Sequence, residues 1–401
     1  MKTANREFMR EWNRKLVLRQ IRKEKETSQI NLVKKTKLSA GTIVNITKQL
    51  RKEGFIRYTG KGKSLSGRRP EKFCFNSDAR HVISVALFAL ETKISVIDLN
   101  GKIKHKLSYP TEHEKGEKTV LTNLAKQVKS TLLKYSIPKE KLNSLSVSIE
   151  GSVDEETGCL KISSHFGWKN VPVRDTLEKM LGCKTFIESE GRAMALGEYY
   201  FGAGKKADSM LCVDIDSGIG TAFIKNGEVY HGAHNLEAEL GHSLVLEDGP
   251  LCRCGRKGCL EVVSSGSAII KRTEEMVRTG RIKKQGSLAK ISGLPEREAI
   301  RIIFEMAEKK DAAVLKILED AGYYLGLSIA NMITYVDPEI IVLTGYVSEE
   351  DPGVFLNIVD KVYKEKLFLP NMRKTKIVKS ALGEDSVLIG GAAVAYKGIF
   401  E

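Results

Sequence analysis

Four residues within an 18-residue window, His242, Cys252, Cys254 and Cys259, constrain this chain more than any other feature. Three thiolates and one imidazole make a complete tetrahedral ligand set for Zn2+, with no position left for water. A site closed in that way holds a loop in shape and does not activate a nucleophile. Gly255 and Gly258 suit a knuckle that turns tightly between ligands. Three ordinary thiols beside an unrelated histidine are the plainer alternative, and the convergence of four ligand types in so short a span favours zinc. Glu239, His242 and Glu261 flank the knuckle, so the metal is expected to brace a polar pocket.

A chain of 401 residues with 42% hydrophobic composition can hold two or three domains with real cores. It has no run of 18 apolar residues, and its first residues lack the apolar segment of a secretion signal. The expectation is a soluble cytoplasmic protein with no membrane partner. Seven cysteines, three of them in the knuckle, do not suggest a disulfide framework. Charge is unevenly placed. Residues 1–75 carry 21 Lys and Arg against 6 Asp and Glu, which is the whole net charge of +15. A charge run is usually a solvated face, but a small domain this basic beside a neutral body points to a polyanion, double-stranded DNA.

The basic segment reads as a helix-turn-helix. Phe8, Trp12, Leu16 and Val17 are spaced for one face of a helix running to about Lys25. A hydroxyl at Thr27-Ser28 caps a short helix carrying Ile30, Leu32 and Val33. After a turn at Lys37-Leu38-Ser39, Ser39 caps a third helix with Ile43, Ile46 and Leu50 inward, ending at Gly54. The opposite face offers Thr42, Asn45, Lys48 and Gln49 to base edges and phosphates, with Ser39 at its start. Strand patterns at 55–58 and 72–75 enclose a basic tip. That is a wing, whose Lys61, Lys63, Arg68 and Arg69 could reach phosphates or a minor groove. A helical trio without DNA function is the competing reading.

From His81 onward strands alternate with helices. Strands are expected at 81–87, 93–99, 102–108 and 145–149, with a helix at 117–135. A second α/β series starts after about 205, with a hairpin over 209–227, helical sequence over 299–330 and a strand at 339–345 ending in glycine. The expected organisation is a winged helix-turn-helix over 1–75, a linker at 76–80, a small lobe over 81–204 and a large lobe over 205–401, with the C-terminal helix returning to the small lobe. Two α/β lobes of this order suggest a ligand cleft between them.

Along nearly its whole length the chain resembles the ROK family of bacterial sugar-responsive repressors and sugar kinases. The residues that carry the resemblance are Glu239-Leu-Gly-His242, the Cys252/Cys254/Cys259 knuckle with Glu261, Gly218-Ile-Gly220 and the tail Gly383–Gly391. Residues 1–75, with Gly67-Arg-Arg-Pro70, resemble the winged head of the repressor branch, which includes xylose and N-acetylglucosamine repressors. The resemblance implies a two-lobed, actin-like (ribonuclease-H-like) α/β body, a sugar effector in the cleft, and a homodimer or homotetramer on a palindromic operator.

Family kinases hold ATP phosphates with an Asp-x-Gly-Gly-Thr loop after the first strand. The matching segment here is Ala86-Leu-Phe-Ala-Leu-Glu-Thr92, which has no glycine and cannot present converging amides to a polyphosphate. A second loop, Asp216-Ser-Gly-Ile-Gly220, survives, but its acidic first residue would sit near phosphate. Where family kinases carry an Asn-Asp pair whose Asp is the general base, this chain has Ser189-Glu190, and Glu190 could still accept a proton. The body therefore reads as a sensor that binds sugar without phosphorylating it. By resemblance the sugar contacts are Glu239, His242 and Glu261 with Ser189 and Glu190. His165 stands where the family usually has a sugar-binding Asn, so it is either a contact for a different sugar or an ordinary loop histidine. Trp168 reads as core packing. Arg192 is either a salt-bridge partner or a ligand contact.

Three functions compete: a sugar-responsive repressor of sugar uptake or catabolism genes, an ATP-dependent sugar kinase that keeps a DNA-binding head, and an architectural DNA-binding protein with a vestigial body. The intact Glu239/His242/Glu261 set argues against the third, and the glycine-free segment at 86–92 against the second.

Overall fold

Capping chemistry sets the first elements of the computed structural model, which describes residues 6–62, 70–233, 235, 237–282 and 291–400. Helix α1 (Arg6–Lys23) is followed by a two-residue strand β1 (Thr27–Ser28), α2 (Gln29–Thr36) and α3 (Ala40–Lys52). Ser28 accepts the Asn31 N–H at 3.3 Å and Ser39 accepts the Thr42 N–H at 3.2 Å, so each helix starts on a hydroxyl. Thr47 joins the two helices, accepting from the Gln29 amide at 3.1 Å while donating to the Ile43 carbonyl. Strands β2 (Ile56–Lys61) and β3 (Glu71–Phe75) form the wing, and β1 pairs with β3 as a third strand that the sequence did not disclose. Glu26 fastens it, accepting from Lys72 at 2.5 Å and Thr59 at 2.6 Å.

One expectation for α1 is corrected. The covered stripe is Val17, Leu18 and Ile21, each fully buried, whereas Phe8 and Trp12 are 60% and 48% exposed. At 3.6 residues per turn those two aromatics fall on the opposite side of the helix from the stripe. They are not part of the head's core.

The chain divides into two compact units, residues 1–189 with 391–401, and residues 190–390. Beyond the head, the first unit contains β4 (His81–Leu87), β5 (Glu91–Asp98), β6 (Ile103–Pro110), α4 (Glu117–Lys134), β7 (Leu142–Ile149), β8 (Ser152–Asp154), β9 (Cys159–Ser163), β10 (Trp168–Val171), α5 (Val173–Leu181) and β11 (Thr185–Ser189). Its main sheet has the order β11-β7-β4-β5-β6, with β11, β7 and β4 parallel and the β4-β5-β6 meander antiparallel. The central β4 and β7 are buried almost throughout, as parallel strands covered on both faces must be.

The second unit contains α6 (Glu190–Phe201), β12 (Ser209–Ile215), β13 (Ile219–Lys225), β14 (Glu228–Val229), α7 (Glu261–Ser264), α8 (Gly266–Arg278), α9 (Glu296–Glu308), α10 (Ala312–Val336), β15 (Ile340–Thr344), α11 (Gly345–Glu350), α12 (Val354–Lys366) and β16 (Lys376–Lys379). Its sheet runs β14-β13-β12-β15-β16, again an antiparallel meander extended by two parallel strands. Both sheets thus repeat one order, meander first and parallel strands added at its inner edge. This is the duplicated ribonuclease-H-type α/β fold of actin-like proteins. The helical run expected over 299–330 is in fact two helices. Lys310 takes a left-handed φ of 61°, and Asp311 then caps α10 by accepting from Ala313 and Val314.

Helix α13 (Ser386–Phe400) closes the chain. In the second unit its Gly390 lies so close to α6 that an added Cβ would meet the Ala193 carbonyl. In the first unit Tyr396 donates to the Asp98 carbonyl, Phe400 lies 6.1 Å from the Phe75 ring, and the Arg22 guanidinium stands 4.3 Å over Phe400.

Candidate nucleic-acid interface, metal centre and ligand pocket

On α3 the inward residues Ile43, Ile46, Thr47 and Leu50 leave Gly41, Val44, Asn45, Lys48 and Lys52 exposed along one face. Asn45 and Lys48 stand where the sequence expects them. Ser39 and Thr42 share a hydroxyl hydrogen bond of 2.9 Å at the helix start. Gln49, expected on the same face, has a partner within the chain. Its amide donates to Glu53 at 2.8 Å, and Glu53 also takes Arg14 at 2.5 Å, so Gln49 is turned into a side-chain cluster at the helix end. Gly41 and Val44, which sequence reasoning passed over, complete the face. A Cβ at Gly41 would meet nothing within 4 Å, so the helix is flat there by choice of residue. Lys61 is exposed at the end of β2, whereas Lys63, Arg68 and Arg69 lie outside the described residues.

The knuckle brings its four donors together. The ligand atoms of His242, Cys252, Cys254 and Cys259 all lie within 4.8 Å of one another. His242 Nδ1 is 3.7 Å from Cys252 Sγ, and the sulfurs of Cys254 and Cys259 are 3.6 Å apart. Zn–S bonds of about 2.3 Å in a tetrahedron put sulfurs roughly 3.8 Å apart, so the cluster fits that ion. Local sequence makes the shape. Gly258 has φ of 69°, and a Cβ there would fall 1.5 Å from the Leu246 carbonyl oxygen. Cys252 N–H donates to the Arg256 carbonyl at 2.8 Å, closing the turn between ligands. Burial pushes the Cys259 thiol up to about 12, while the Arg256 backbone N–H draws Cys254 down to about 6. Three thiolates cannot coexist there without a cation to replace their protons.

Glu261 follows the last cysteine by two residues and opens α7. Its Oε1 is 3.9 Å from Cys252 Sγ, and its Oε2 would lie 2.6 Å from a Cβ on Gly218, so a side chain there would push the carboxylate aside. Glu239 precedes the single helical turn Leu240–His242. Its side chain is open to solvent, yet partial burial raises its carboxyl, with Glu237 and Glu261 adding to the rise and His242 opposing it. Glu239, His242 and Glu261 therefore lie close enough in the second unit to act on one another's charge. Beside them Arg192 donates to Glu237 Oε1 through Nε at 3.1 Å and Nη2 at 2.6 Å. The two readings of Arg192 thus resolve to a salt bridge. Glu190 is the first residue of α6.

Ser189 and His165 belong to the first unit. Ser189 ends β11, and its N–H donates to Glu188 at 2.8 Å. His165 Nδ1 lies 3.9 Å from Glu150 Oε1. Trp168 is 5% exposed and packs 4.5 Å from Phe166, in the core as expected. Glu150, missed by sequence reasoning, has a second partner: its Oε2 accepts the Ala89 N–H at 3.0 Å, in the turn between β4 and β5. The Phe88 carbonyl in that turn accepts the Thr111 hydroxyl at 2.6 Å. In the second unit Asp216 accepts the Tyr346 N–H at 2.5 Å, and burial pushes its carboxyl up to about 6. A backbone amide in each unit, Ala89 in the β4–β5 turn and Tyr346 at the start of α11, is thus occupied by one of the chain's own carboxylates. For Glu150 the sequence signal is an acid directly before Gly151, and Asp216 is already marked there as the acidic first residue of its loop.

Fold and knuckle together define the class: an actin-like α/β body of the kind found in bacterial sugar kinases, carrying a winged helix-turn-helix head. The chain belongs to the ROK family, whose model matches residues 82–397. Among curated relatives, a glucokinase of Thermotoga maritima is 32% identical over 78% of this chain and 96% of its own length. A xylose repressor of Caldicellulosiruptor bescii is 24% identical over 98% of this chain and 97% of its own. The Escherichia coli DNA-binding transcriptional dual regulator NagC is 26% identical over 96% and 92%. Among solved structures, a ROK family transcriptional regulator homologous to the E. coli MLC protein shares the fold with a TM-score of 0.84 at 24% identity, covering 98% of this chain and 97% of that one. No helix among the described residues is long and apolar enough to cross a membrane.

Proposed function

We propose that this chain is a sugar-responsive, DNA-binding transcriptional regulator, a repressor of sugar uptake or catabolism genes, acting as a homo-oligomer on a palindromic operator. The observation that carries the reading is coverage. Likeness to the xylose repressor extends through head and body, whereas likeness to the glucokinase leaves out the head. Asn45 and Lys48 on α3 read the major groove, and Lys61 with the wing tip meets the backbone. A Zn2+ ion held by His242, Cys252, Cys254 and Cys259 keeps the loop that presents Glu239 and Glu261 in shape. Because His242 turns Nδ1 to the cluster, its Nε2 remains to hydrogen-bond a sugar hydroxyl beside the two carboxylates, with Glu190 as a further candidate. For the sugar to shift DNA occupancy a hundredfold, it must prefer one conformation by about 3 kcal/mol.

The kinase reading draws on the higher identity to a glucokinase. The Ala89 amide taken by Glu150 counts against it, because a nucleotide phosphate at that turn would have to displace a carboxylate, and the acid Asp216, raised by burial, opens the second loop. The test is to select bound duplexes from a random pool and titrate the winner with a sugar panel. An inverted repeat whose affinity changes with one sugar is expected. Absence of any specific duplex, together with sugar-dependent release of ADP from ATP, would overturn the reading in favour of the kinase.

A further inference from the structure

Three cations from three parts of the chain line an open cavity of about 400 Å³ in the first unit. Arg57 comes from β2 of the wing, Arg80 from the segment that joins β3 to β4, and Lys141 from the turn ahead of β7. The cavity thus lies where the head meets the body. Its size falls at the lower end of small-molecule pockets, which run from about 300 to 1,000 Å³. None of the residues proposed above to meet sugar, zinc or DNA lines it.

Charge pairing selects the ligand. Two of the three carboxylates in the wall already have partners outside it. Glu53 takes Arg14 at 2.5 Å and Gln49 at 2.8 Å, and Asp78 takes Lys104 at 2.9 Å. The cations have no such partners. Arg80 donates to the backbone carbonyls of Glu53 at 3.2 Å and Ala79 at 2.7 Å, and its guanidinium stands 5.1 Å over the Phe55 ring. Arg57 and Lys141 are exposed, and among the described residues neither side chain makes a hydrogen bond or a salt bridge. What remains uncommitted is therefore three positive charges against the single carboxylate of Glu140, and such a group repels itself until an anion joins it. Asn76 in the same wall gives its amide to the Gly54 carbonyl at 2.8 Å but leaves Oδ1 buried without a hydrogen-bond partner. A hydroxyl satisfies that acceptor and chloride does not. We infer that the cavity binds a small oxyanion carrying a hydroxyl, a phosphate either free or as the ester of a polyol. The two guanidinium forks and the ammonium suit its oxygens, and the bound anion ties the wing, the linker and the body together. The inference goes beyond the proposed function, since this ligand is a second effector apart from the sugar.

The experiment titrates the full chain with inorganic phosphate near neutral pH, without DNA or sugar and at an ionic strength fixed with sodium chloride, and follows the width of the phosphorus NMR line. Saturable broadening with a Kd below about 1 mM is expected. Arg57→Ala and Lys141→Ala, both at exposed positions, should each weaken binding at least tenfold with an unchanged circular dichroism spectrum. Lys48→Ala, on the exposed face of α3, should leave it unchanged. Glycerol phosphate separates the two sources: tighter binding of the ester assigns the site to phosphorylated polyols, and tighter binding of the free ion assigns it to inorganic phosphate. No saturation up to about 10 mM, binding that survives either cavity substitution, or binding that Lys48→Ala removes would each overturn the inference. Because the assay contains no DNA or sugar, its failure leaves the regulatory reading untouched.

Discussion

Arg192 gives two hydrogen bonds to a single carboxylate oxygen of Glu237, and the other oxygen of that carboxylate takes the Gly232 N–H at 2.9 Å. The side chains are only 10% and 8% exposed. One pair thereby fastens α6 to the loop that leads into Glu239 and His242. Burial pushes the Glu237 carboxyl up, but the Gly232 N–H and Arg192 outweigh it and hold it below its ordinary value. Glu237→Gln should destabilise the chain by about 3–5 kcal/mol, because it breaks a buried ion pair by removing one charged partner. The midpoint of urea unfolding measures this. The stabilisation is fully present above the ordinary carboxylate pKa and is lost as pH falls through the lower folded value, so wild type and variant should converge in acid.

The knuckle should bind one zinc per chain, measured as metal content after dialysis. Cys252→Ala should lose it and lower the melting temperature. Since the Cys252 and Cys259 thiols are raised, the latter to about 12, binding must displace protons. Zinc retention against a fixed chelator should therefore rise steadily from pH 5 to pH 8.

Asp216 makes an opposite demand. Its folded pKa of about 6 lies above the unfolded value, so the fold favours the protonated acid and ionisation costs stability at neutral pH. Asp216→Asn keeps an oxygen to accept the Tyr346 N–H and removes the charge. It should stabilise the chain by roughly 2–3 kcal/mol at pH 7.5, a gain that vanishes toward pH 4. Thermal melts of the two proteins across that range decide it.

On DNA, Lys48→Ala should weaken all sequences alike and reduce the salt slope by about 0.9, whereas Asn45→Ala should lose about 1–3 kcal/mol of discrimination at one base pair. Gln49→Ala should change neither by more than twofold, since its amide is already held by Glu53. Anisotropy titrations on the selected duplex and a scrambled one separate these outcomes.

What could be read in advance was local in sequence. Ser28 and Ser39 announce their helices because a cap bonds within three residues. The four knuckle donors announce their own convergence because their spacing is itself the geometry. Failures came from choices made at a distance. The spacing of Phe8 and Trp12 correctly marks a helix, but which side is covered depends on α2 and α3, and the covered side is the other one. The Glu53 partner of Gln49, which Arg14 also holds, was not legible either. Glu150 reaches Ala89 across 61 residues, and Arg192 reaches Glu237 across 45, separations at which no pattern of residue types identifies the partner.

The lodging of Phe400 against Phe75 and Arg22 bears on how the protein is made. Synthesis proceeds from the head onward, so α1, α3 and the wing leave the ribosome early and can fold while the body is still being translated. The aromatic rings of α13 that Arg22 and Phe75 meet arrive almost a whole chain later. A nascent head is consequently an unfinished one, and the helix that completes it can dock only after both sheets have been built.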